Sequence, residues 1–392
     1  MTQSIILSQL FVMSLRVYKA VPTYSSYISS FYKAHPHLCK ASFNEQLEAL
    51  KQDCFQWILC WNKYNKDPNM FFFETVPNDY YLQKAWLKDG SAEEDWEKTI
   101  VFEQIKAFKP HICILYSPEV YNTAFINRLK ELDRSIIIGG YDGMDRQNIS
   151  LYEGYDFVIT CSEYISKYYE GKGMDTFVMR FGFDPEILNK TIRREKRYQT
   201  SFTGSVFPGV HDDRFDLLSY LGRKTTITIG SDYGYSPNGL LSRRVLRQIK
   251  SLPFIRIPDY LRLYRHNVGP LFGLEMFQFL RDSAVSLNMH GDRIQFAANI
   301  RLFEATGIGS CLLTDWKENI SELFEPEKEI LTYHTKEEAL DKVRFCIKKP
   351  SYSETIAKNG QRRTLTEYSY DRIVPEVIQF VKQEWISRNK CR

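Results

Sequence analysis

Short apolar strands alternate with helices over most of the chain, and no other feature constrains its fold as strongly. After a first strand at 15–21, strands are predicted at 111–116, 135–140 and 156–161, with a helix at 119–132. Parallel strands that are covered by helices on both faces read as short, continuous apolar runs. The pattern therefore predicts an α/β fold built on a parallel sheet.

The alternation begins again after a charged stretch, NKTIRREKRYQ, at 189–199. Further strands are predicted at 200–204, 225–230, 284–290 and 310–315. We therefore predict an N-terminal α/β domain at 1–188, a linker at 189–199 and a similar C-terminal domain at 200–370. A final helix at 371–392 is expected to pack back on the N-terminal domain, and the stretch 44–61 reads as one helix.

Length, charge and cysteine spacing exclude several classes of protein. The 392 residues exceed what one core usually holds, which agrees with two domains. A net charge of +4 is too small to indicate nucleic-acid binding. No two of the eight cysteines have the two-residue spacing of zinc or redox motifs, so we expect a reducing, cytoplasmic compartment.

Two segments bear on targeting and on membranes. The N-terminal stretch lacks the basic start of a signal peptide, and residues 1–12 are expected to be a dispensable extension before Met13. The segment 241–266 carries seven Lys and Arg residues against Asp259 alone. Such a run is usually a solvated helix face. The alternative is a surface for anionic acceptors or lipid headgroups, which would place the protein at the inner face of the membrane.

Polar and glycine residues follow two predicted strands of the C-terminal domain. Gly204 and Ser205 come after one strand, and Gly230 and Tyr233 come after the next. Open parallel sheets bind ligands at the carboxyl ends of their strands, and glycine lets a phosphate approach the backbone. Ordinary turns explain both stretches equally well, so they are candidates for a nucleotide site rather than evidence of one.

A third stretch, NIRLFEATGIGSCLLTD, places an amide, an arginine and a glutamate at the start of a predicted helix. In the structural interpretation, Asn299 caps the helix, and Arg301 and Glu304 form a surface salt bridge. In the functional one, a diphosphate lies on the amides at Asn299 and Ile300 beside Arg301, and Glu304 accepts hydrogen bonds from two ribose hydroxyls. His290, at the end of the preceding strand, is expected to face the same crevice.

Several common catalytic motifs are absent from the sequence. No two aspartates are separated by one residue, so the Asp-x-Asp metal clamp of many nucleotide-sugar enzymes is missing. A Walker loop, a Gly-x-Ser-x-Gly elbow and a Gly-x-Gly-x-x-Gly fingerprint are also absent. We therefore expect no metal ion and no cofactor.

The stretch 299–333 resembles the C-terminal region of CgeB-like bacterial glycosyltransferases, which belong to the group 1 glycosyltransferases of GT-B fold. The resemblance extends over much of the chain, through the stretches 23–53, 155–173, 202–208, 273–290 and 356–373. It implies two Rossmann-like domains that face each other across a cleft, with a nucleotide-diphosphate sugar on the C-terminal one. By analogy, Glu304 matches the second glutamate of the paired-glutamate motif of this group. Phe296 stands where the first glutamate is expected.

The resemblance, taken with these residues, implies a metal-independent hexosyltransferase that acts on a glycan, lipid-linked or protein acceptor of a bacterial cell-surface glycan. Arg301, with Arg214 and Ser205, would stabilise the departing diphosphate. His290 is a further catalytic candidate. Asp142 is the candidate base for an inverting reaction and Glu163 a weaker one, although Asp142 is equally well explained as a turn residue. Two alternatives stay open: a non-catalytic envelope or coat-assembly protein, and a sugar-nucleotide epimerase.

Overall fold

A computed structural model describes residues 14–390, except for 56–57, 88–94, 145, 147, 207–210, 233–256 and 292–294. Tyr233, residues 1–12 and the part of the basic segment at 241–256 therefore lie outside the described residues. Within the part of the chain that is described, no helix is both long enough and apolar enough to cross a membrane.

The N-terminal sheet is parallel throughout. Its strands are β1 (Leu15–Ala20), β2 (Met70–Thr75), β3 (Ile112–Leu115), β4 (Ile137–Asp142), β5 (Phe157–Thr160) and β6 (Asp175–Val178). They lie in the order β2-β1-β3-β4-β5-β6. The central register pairs Val17 with Phe72 on one side and with Ile112 on the other. All residues of β3 and β5 are buried, as continuous apolar runs in a doubly covered sheet require.

Helices connect these strands and cover both faces of the sheet. They are α1 (Ser25–Ala34), α2 (Phe43–Gln52), α3 (Trp61–Tyr64), α4 (Tyr80–Leu87), α5 (Trp96–Phe108), α6 (Thr123–Leu132), α7 (Glu163–Glu170) and α8 (Ile187–Lys190). Short 3-10 helices occupy Pro36–Lys40 and Ile149–Tyr152. Local capping fixes several starts: Ser42 and Glu45 form a capping box at α2, and the Ser162 hydroxyl accepts from Tyr164 N at α7.

The C-terminal domain repeats this architecture. Its strands are β7 (Tyr198–Thr203), β8 (Ile227–Gly230), β9 (Ser283–Asn288), β10 (Cys311–Asp315) and β11 (Leu331–Tyr333). They are parallel and lie in the order β11-β10-β9-β7-β8. The described helices are α9 (Asp212–Lys224), α10 (Ile257–His266), α11 (Gly273–Arg281), α12 (Arg301–Gly307), α13 (Ile320–Leu323), α14 (Lys336–Lys348), α15 (Pro350–Glu367) and α16 (Tyr370–Lys390).

In both sheets, the order in which strands are added reverses at the first strand of the domain. In each domain the second strand is added on one side of the first and the later strands on the other, so the switch points lie between β1 and β3 and between β7 and β9. Ligands of open α/β sheets bind at the carboxyl ends of the strands at such points. The predicted fold class, two doubly wound parallel α/β domains in tandem, is confirmed.

The chain crosses between the domains twice. The predicted linker, 189–199, is narrower in the structure, because α8 continues to Lys190 and Tyr198 already pairs with Ser283 in the C-terminal sheet. The second crossing leads into α16, whose Val377 and Val381 share one core with Val17 of β1. The last helix therefore lies against the N-terminal domain.

The stretch 44–61 does not form the single helix that its pattern predicts. Helix α2 ends before Asp53, and Cys54 adopts a left-handed conformation with φ 57°. The break turns the Asp53 carboxylate towards the C-terminal domain, where it accepts from Leu274 N at 3.4 Å. Asp53 thus supplies an acceptor to the first turn of α11 from the other domain.

Candidate functional site

A cavity of about 420 Å³ opens at the carboxyl ends of β7 and β8, beside the switch point of the C-terminal sheet. The C-terminal domain contributes Gly204, Ser205, Gly230, Ser231, Asp232, Pro270, Leu271, Phe272, Met276, Ile300, Arg301 and Glu304. The opposite wall comes from the N-terminal domain, through Tyr24, Ser26 and Phe55. We call it the switch-point cavity. Concave sites of this size between two domains are typical of cofactor and small-molecule binding.

The ends of β7 and β8 bring backbone close to the cavity. Gly204 has a φ of 150°, a conformation that favours glycine. At Gly230 a Cβ atom would lie 2.7 Å from Leu271 Cδ1, so any larger residue would push that side chain out of place. Local structure therefore explains why glycine occupies both positions. The absence of a side chain at each also leaves the floor of the cavity open.

Arg214 of α9 connects the ends of two strands. Its Nη1 donates to Ser205 O at 2.6 Å and its Nη2 donates to Met289 O at 2.8 Å. The Arg214 charge also acts on Tyr24 on the opposite wall of the cavity. Partial burial and the Glu304 carboxylate raise the pKa of Tyr24, whereas the Arg301 and Arg214 cations lower it. Arg214 therefore lies behind the cavity wall and contributes its charge from there.

Asn299 does not cap the helix that follows it, contrary to the structural interpretation of its sequence position. Helix α12 begins at Arg301 with no side-chain cap. Asn299 instead exchanges side-chain hydrogen bonds with Asn288 at the end of β9, with Nδ2 donating to Asn288 Oδ1 at 3.0 Å. The helix spans only seven residues, so its end amides and dipole contribute little, and the expected diphosphate site must depend on side chains instead.

Arg301 and Glu304 form an ion pair, but the pair is not on the surface. Arg301 Nη1 lies 2.8 Å from Glu304 Oε2, and the exposed fractions of the two side chains are 14% and 4%. The surface salt bridge considered from the sequence is therefore wrong. Burial raises the pKa of the Glu304 carboxyl, and the Arg301 charge only partly offsets this effect.

Some polar atoms of the Arg301–Glu304 pair also lack a hydrogen-bond partner among the described residues. The contact between the two groups does not have hydrogen-bonding geometry, and Arg301 Nε and Glu304 Oε2 are buried without a hydrogen-bond partner among the described residues. Arg301 Nη1 donates a hydrogen bond to Met276 Sδ at 3.0 Å. Buried polar groups without partners are rare, and at the wall of a cavity they are expected to bind a ligand.

His290 lies at the carboxyl edge of the same sheet, but it is buried and is not among the described residues that line the switch-point cavity. It is held by Asp315 of β10. Its Nδ1 lies 2.7 Å from Asp315 Oδ1, and the same oxygen accepts from the His290 amide at 3.0 Å. Burial would raise the pKa of Asp315, but the hydrogen bond and the charge of His290 hold it below the ordinary value. An ionised Asp315 fixes the proton on Nδ1. His290 Nε2 is buried and has no hydrogen-bond partner within the described ranges.

The structure places Asp142 as a structural residue rather than as an accessible base. Its carboxylate is fully buried and accepts from Met144 N at 3.0 Å, from Arg146 N at 3.1 Å and from the Tyr169 hydroxyl at 2.8 Å. Arg146 Nη1 adds a fourth contact at 3.2 Å. Every lone pair is directed to a neighbour, so the interpretation as a turn residue fits and the expectation of a base does not.

Glu163 is more accessible than Asp142. It is exposed, pairs with Arg180 at 3.2 Å and lines a cavity of about 360 Å³ between the two domains. Phe296, which stands where a glutamate was expected, lines the same cavity, and its ring centroid lies 5.4 Å from that of Tyr164. Phe296 thus packs against the N-terminal domain and does not line the switch-point cavity.

Sequence reasoning missed the wall that the N-terminal domain supplies and the partner of His290. Tyr24 follows β1, whose carboxyl end flanks a switch point, so the same strand-end argument that selected Gly204 applies to it. Asp315 is the last residue of β10, which pairs with β9, so the same strand-end argument could have placed it beside His290. Phe55 gave no such signal, because only the break after α2 directs it towards the other domain.

Comparisons with known proteins agree with this architecture. Residues 242–379 match a family model described as glycosyl transferase-like. A search of curated proteins found no match. Anabaena HepE in complex with UDP-glucose superposes with a TM-score of 0.60 at 11% identity, over 94% of this chain and 100% of that chain.

Two further solved structures share the fold. Sucrose-phosphate synthase from Thermosynechococcus elongatus superposes with a TM-score of 0.56 at 10% identity, over 95% of this chain and 100% of that chain. A putative UDP-N-acetylglucosamine 2-epimerase from Listeria monocytogenes superposes with a TM-score of 0.53 at 11% identity, over 95% and 97% of the two chains. The predicted GT-B fold is therefore confirmed. Identities this low show the fold and leave the activity to be argued from the site.

Proposed function

We propose that the protein is a glycosyltransferase that moves a sugar from a nucleotide-diphosphate donor to a hydroxyl group of an acceptor. One observation carries the proposal: a buried and incompletely satisfied Arg301–Glu304 pair lies in the wall of a cavity at the switch point of the C-terminal sheet. A cation and a carboxylate side by side match the two polar parts of a nucleoside diphosphate. The glycosyl transferase-like family match and the UDP-glucose complex of HepE support the same interpretation.

The nucleoside half is proposed to bind between the two domains. Glu304 accepts hydrogen bonds from the two ribose hydroxyls, because a carboxylate has one oxygen for each. The base lies towards Tyr24, Phe55 and Phe272, the aromatic residues of the cavity lining. Such flat, apolar walls suit the face of a nucleobase. Gly230 and Ser231 leave space beneath it.

The diphosphate is proposed to lie beside Arg301 and the end of β7. In the reaction, the bond between the anomeric carbon and a diphosphate oxygen breaks, and a bond from that carbon to the acceptor oxygen forms. Negative charge develops on the diphosphate, and Arg301 is the cation among the described residues that line the cavity, with Arg214 behind it. Preorganised cations stabilise this charge without a metal ion, so we propose a metal-independent reaction.

His290 is proposed to donate a proton or a hydrogen bond to the leaving diphosphate. Asp315 holds Nδ1, and the buried Nε2 has no hydrogen-bond partner among the described residues, so we propose that Nε2 is the nitrogen that contacts the diphosphate. A ring that is protonated on both nitrogens carries on Nε2 the proton that it would donate. Asp315 thus acts as a positioning residue for His290.

The acceptor is proposed to enter from the N-terminal side of the cleft. Glu163 replaces Asp142 as the candidate base, because its carboxylate is exposed at an interdomain cavity whereas that of Asp142 is saturated. The acceptor would be a glycan, a lipid-linked sugar or a protein. A hexosyl donor, a CgeB-like relationship and a role in bacterial cell-surface glycans remain part of this proposal.

Peripheral contact with a membrane through the segment 241–266 is a separate prediction. In its described part, Asp259 pairs with Arg262 at 2.9 Å and with Arg223 of α9 at 2.7 Å. These pairs neutralise some of the charge, which favours a solvated face for α10.

A thermal-shift panel of UDP-, GDP-, CMP- and dTDP-sugars tests the proposal. A donor at a hundred times its dissociation constant should stabilise the protein by about 2.7 kcal/mol. Slow release of the nucleotide without an acceptor identifies a transferase. Conversion of one nucleotide sugar into another without release would identify an epimerase, and binding without either reaction a non-catalytic protein.

A further inference from the structure

A second cavity lies at the opposite edge of the C-terminal sheet from the switch-point cavity. It has a volume of about 490 Å³ and is lined by the starts of three strands, through Tyr198 of β7, Ala284 of β9 and Cys311 of β10. Parallel strands place their starts and ends at opposite edges, so this cavity is separate from the proposed donor site. We call it the linker cavity, because residues 193–197 of the linker form one of its walls.

Cations dominate the polar lining of the linker cavity. They are Arg193, Arg194, Lys196, Arg197, Arg281 and Lys358, and they face the carboxylates of Glu195 and Glu354. The linker contributes four of them within five positions. Like charges at this density repel one another, so the fold must hold them in place by other contacts or leave them for a ligand.

Three of these cations are held by the protein itself. Arg194 Nε lies 3.0 Å from both carboxylate oxygens of Asp282. Lys196 Nζ donates to Arg281 O at 2.7 Å, and Arg281 Nη1 donates to Thr191 Oγ1 at 2.6 Å. These contacts satisfy the end of α11 and fasten the linker to it.

The other three cations have no such contacts. The side chains of Arg193, Arg197 and Lys358 form no hydrogen bond or ion pair with any described residue, although the Arg197 amide donates to Asp282 O at 2.7 Å. The charge of one of them, Arg193, acts on the held cations: burial, followed by the neighbouring Arg193 charge, lowers the pKa of Arg281. Partial burial and the Arg193 and Arg281 charges likewise lower the pKa of Lys196, against the opposing charge of Asp282. The positive potential is therefore only partly neutralised within the described part of the chain.

The floor of the linker cavity is apolar. It consists of the buried residues Ile308, Cys311, Cys346 and Ala357. An inorganic ion would use the basic rim alone, whereas an organic anion would also cover this floor. The geometry thus combines a rim for negative charge with a surface for carbon atoms.

We propose that the linker cavity binds a phosphate ester, with the phosphate on Arg193, Arg197 and Lys358 and the organic part on the apolar floor. Guanidinium groups bind phosphate oxygens through two parallel hydrogen bonds, which favours phosphate over a single carboxylate. The occupant would join the linker to α15. A phospholipid headgroup and a soluble sugar phosphate both present this chemistry.

The test compares the wild-type protein with the triple variant Arg193→Ala, Arg197→Ala, Lys358→Ala. All three side chains lack partners among the described residues, so their removal should not disturb the fold. A matched control removes three exposed lysines of the N-terminal domain, Lys33→Ala, Lys40→Ala and Lys172→Ala, and therefore loses the same charge. Binding is measured by calorimetry with glucose 6-phosphate and by sedimentation with vesicles of phosphatidylglycerol in phosphatidylcholine.

We expect the wild-type and the control to bind one of the two probes, and the triple variant to bind it at least tenfold more weakly. Binding of the vesicles alone identifies a lipid headgroup, and binding of glucose 6-phosphate identifies a soluble ester. The proposal is overturned if neither probe binds the wild-type, or if the triple variant and the control lose affinity equally. Arg301→Ala should leave this binding unchanged, which separates it from the proposed donor site.

Discussion

Replacement of Glu304 by glutamine tests whether the buried ion pair serves a ligand or only the fold. The change keeps the size of the side chain and one acceptor oxygen, but it removes the charge and the second acceptor for a ribose diol. Hydrogen bonds to a charged group contribute about 1.5–3 kcal/mol, so the affinity for the donor should fall by at least tenfold. This affinity is measured by calorimetric titration with whichever donor the nucleotide-sugar panel identifies. Glu376→Gln on α16 is the matched control, because Glu376 is exposed and lies on the last helix.

The stability of this variant follows from the same burial. The carboxylate is 4% exposed and its pKa is raised, so its ionised form is costly and a neutral side chain relieves that cost. The loss of the partner of Arg301 acts in the opposite direction. We expect the two effects to leave the free energy of unfolding within about 1 kcal/mol of wild-type.

The pH dependence has a definite sign. Because the pKa of Glu304 is raised above its ordinary value of 4.5, the folded protein keeps a proton that the unfolded chain has already lost. Relative to Glu304→Gln, the wild-type should lose stability as the pH rises from 4.5 through the folded pKa, and then stay level. An unchanged donor affinity together with a melting temperature lowered by several degrees would refute the ligand role and leave a purely structural pair.

Four further changes test other parts of the account. Arg301→Ala should lower turnover at least tenfold, whereas EDTA should leave it within about twofold; rescue of an EDTA-inhibited enzyme by magnesium or manganese would show that a metal stabilises the diphosphate. Asp315→Asn should lower turnover by about tenfold or more, because His290 loses the carboxylate that fixes the proton on Nδ1 and orients its ring; unchanged turnover would show that His290 does not act through Asp315. Lys19→Met, which leaves Glu74 buried without its partner at 3.0 Å, should cost about 3–5 kcal/mol in chemical denaturation, and a cost below about 1 kcal/mol would contradict the buried pair. Burial raises the pKa of Asp79 to about 6, so, relative to Asp79→Asn, the wild-type should lose stability between pH 3.8 and about 6 in thermal melts; a constant difference would contradict it.

The sequence was sufficient to predict the fold and to select some of the residues that line the switch-point cavity. Gly204, Gly230, Arg301 and Glu304 are far apart in the chain, yet they line one cavity. The carboxyl ends of parallel strands lie at one edge of a sheet, so a correct assignment of the strands is enough to bring these residues together. Their chemical roles stay predictions.

Features that depend on the packing of one domain against the other could not be predicted. The periodicity of 44–61 is helical throughout, whereas in the structure the helix stops before Asp53, whose carboxylate accepts from Leu274 N of the other domain. That break also directs Phe55 into the cavity. Asp142 was a reasonable candidate base by position, but its saturation by Tyr169 and Arg146 depends on side chains 27 and 4 residues away.

The central claim is that glycosyl transfer takes place in the switch-point cavity between the domains. The most direct test of this claim is to measure the release of nucleotide from a bound nucleotide sugar. Wild-type protein should release the nucleotide slowly without an acceptor, and the Arg301→Ala variant should do so at least tenfold more slowly. Failure of the wild-type to release nucleotide from any UDP-, GDP-, CMP- or dTDP-sugar that binds would contradict the account. Equal release by the wild-type and Arg301→Ala would show that the chemistry occurs elsewhere.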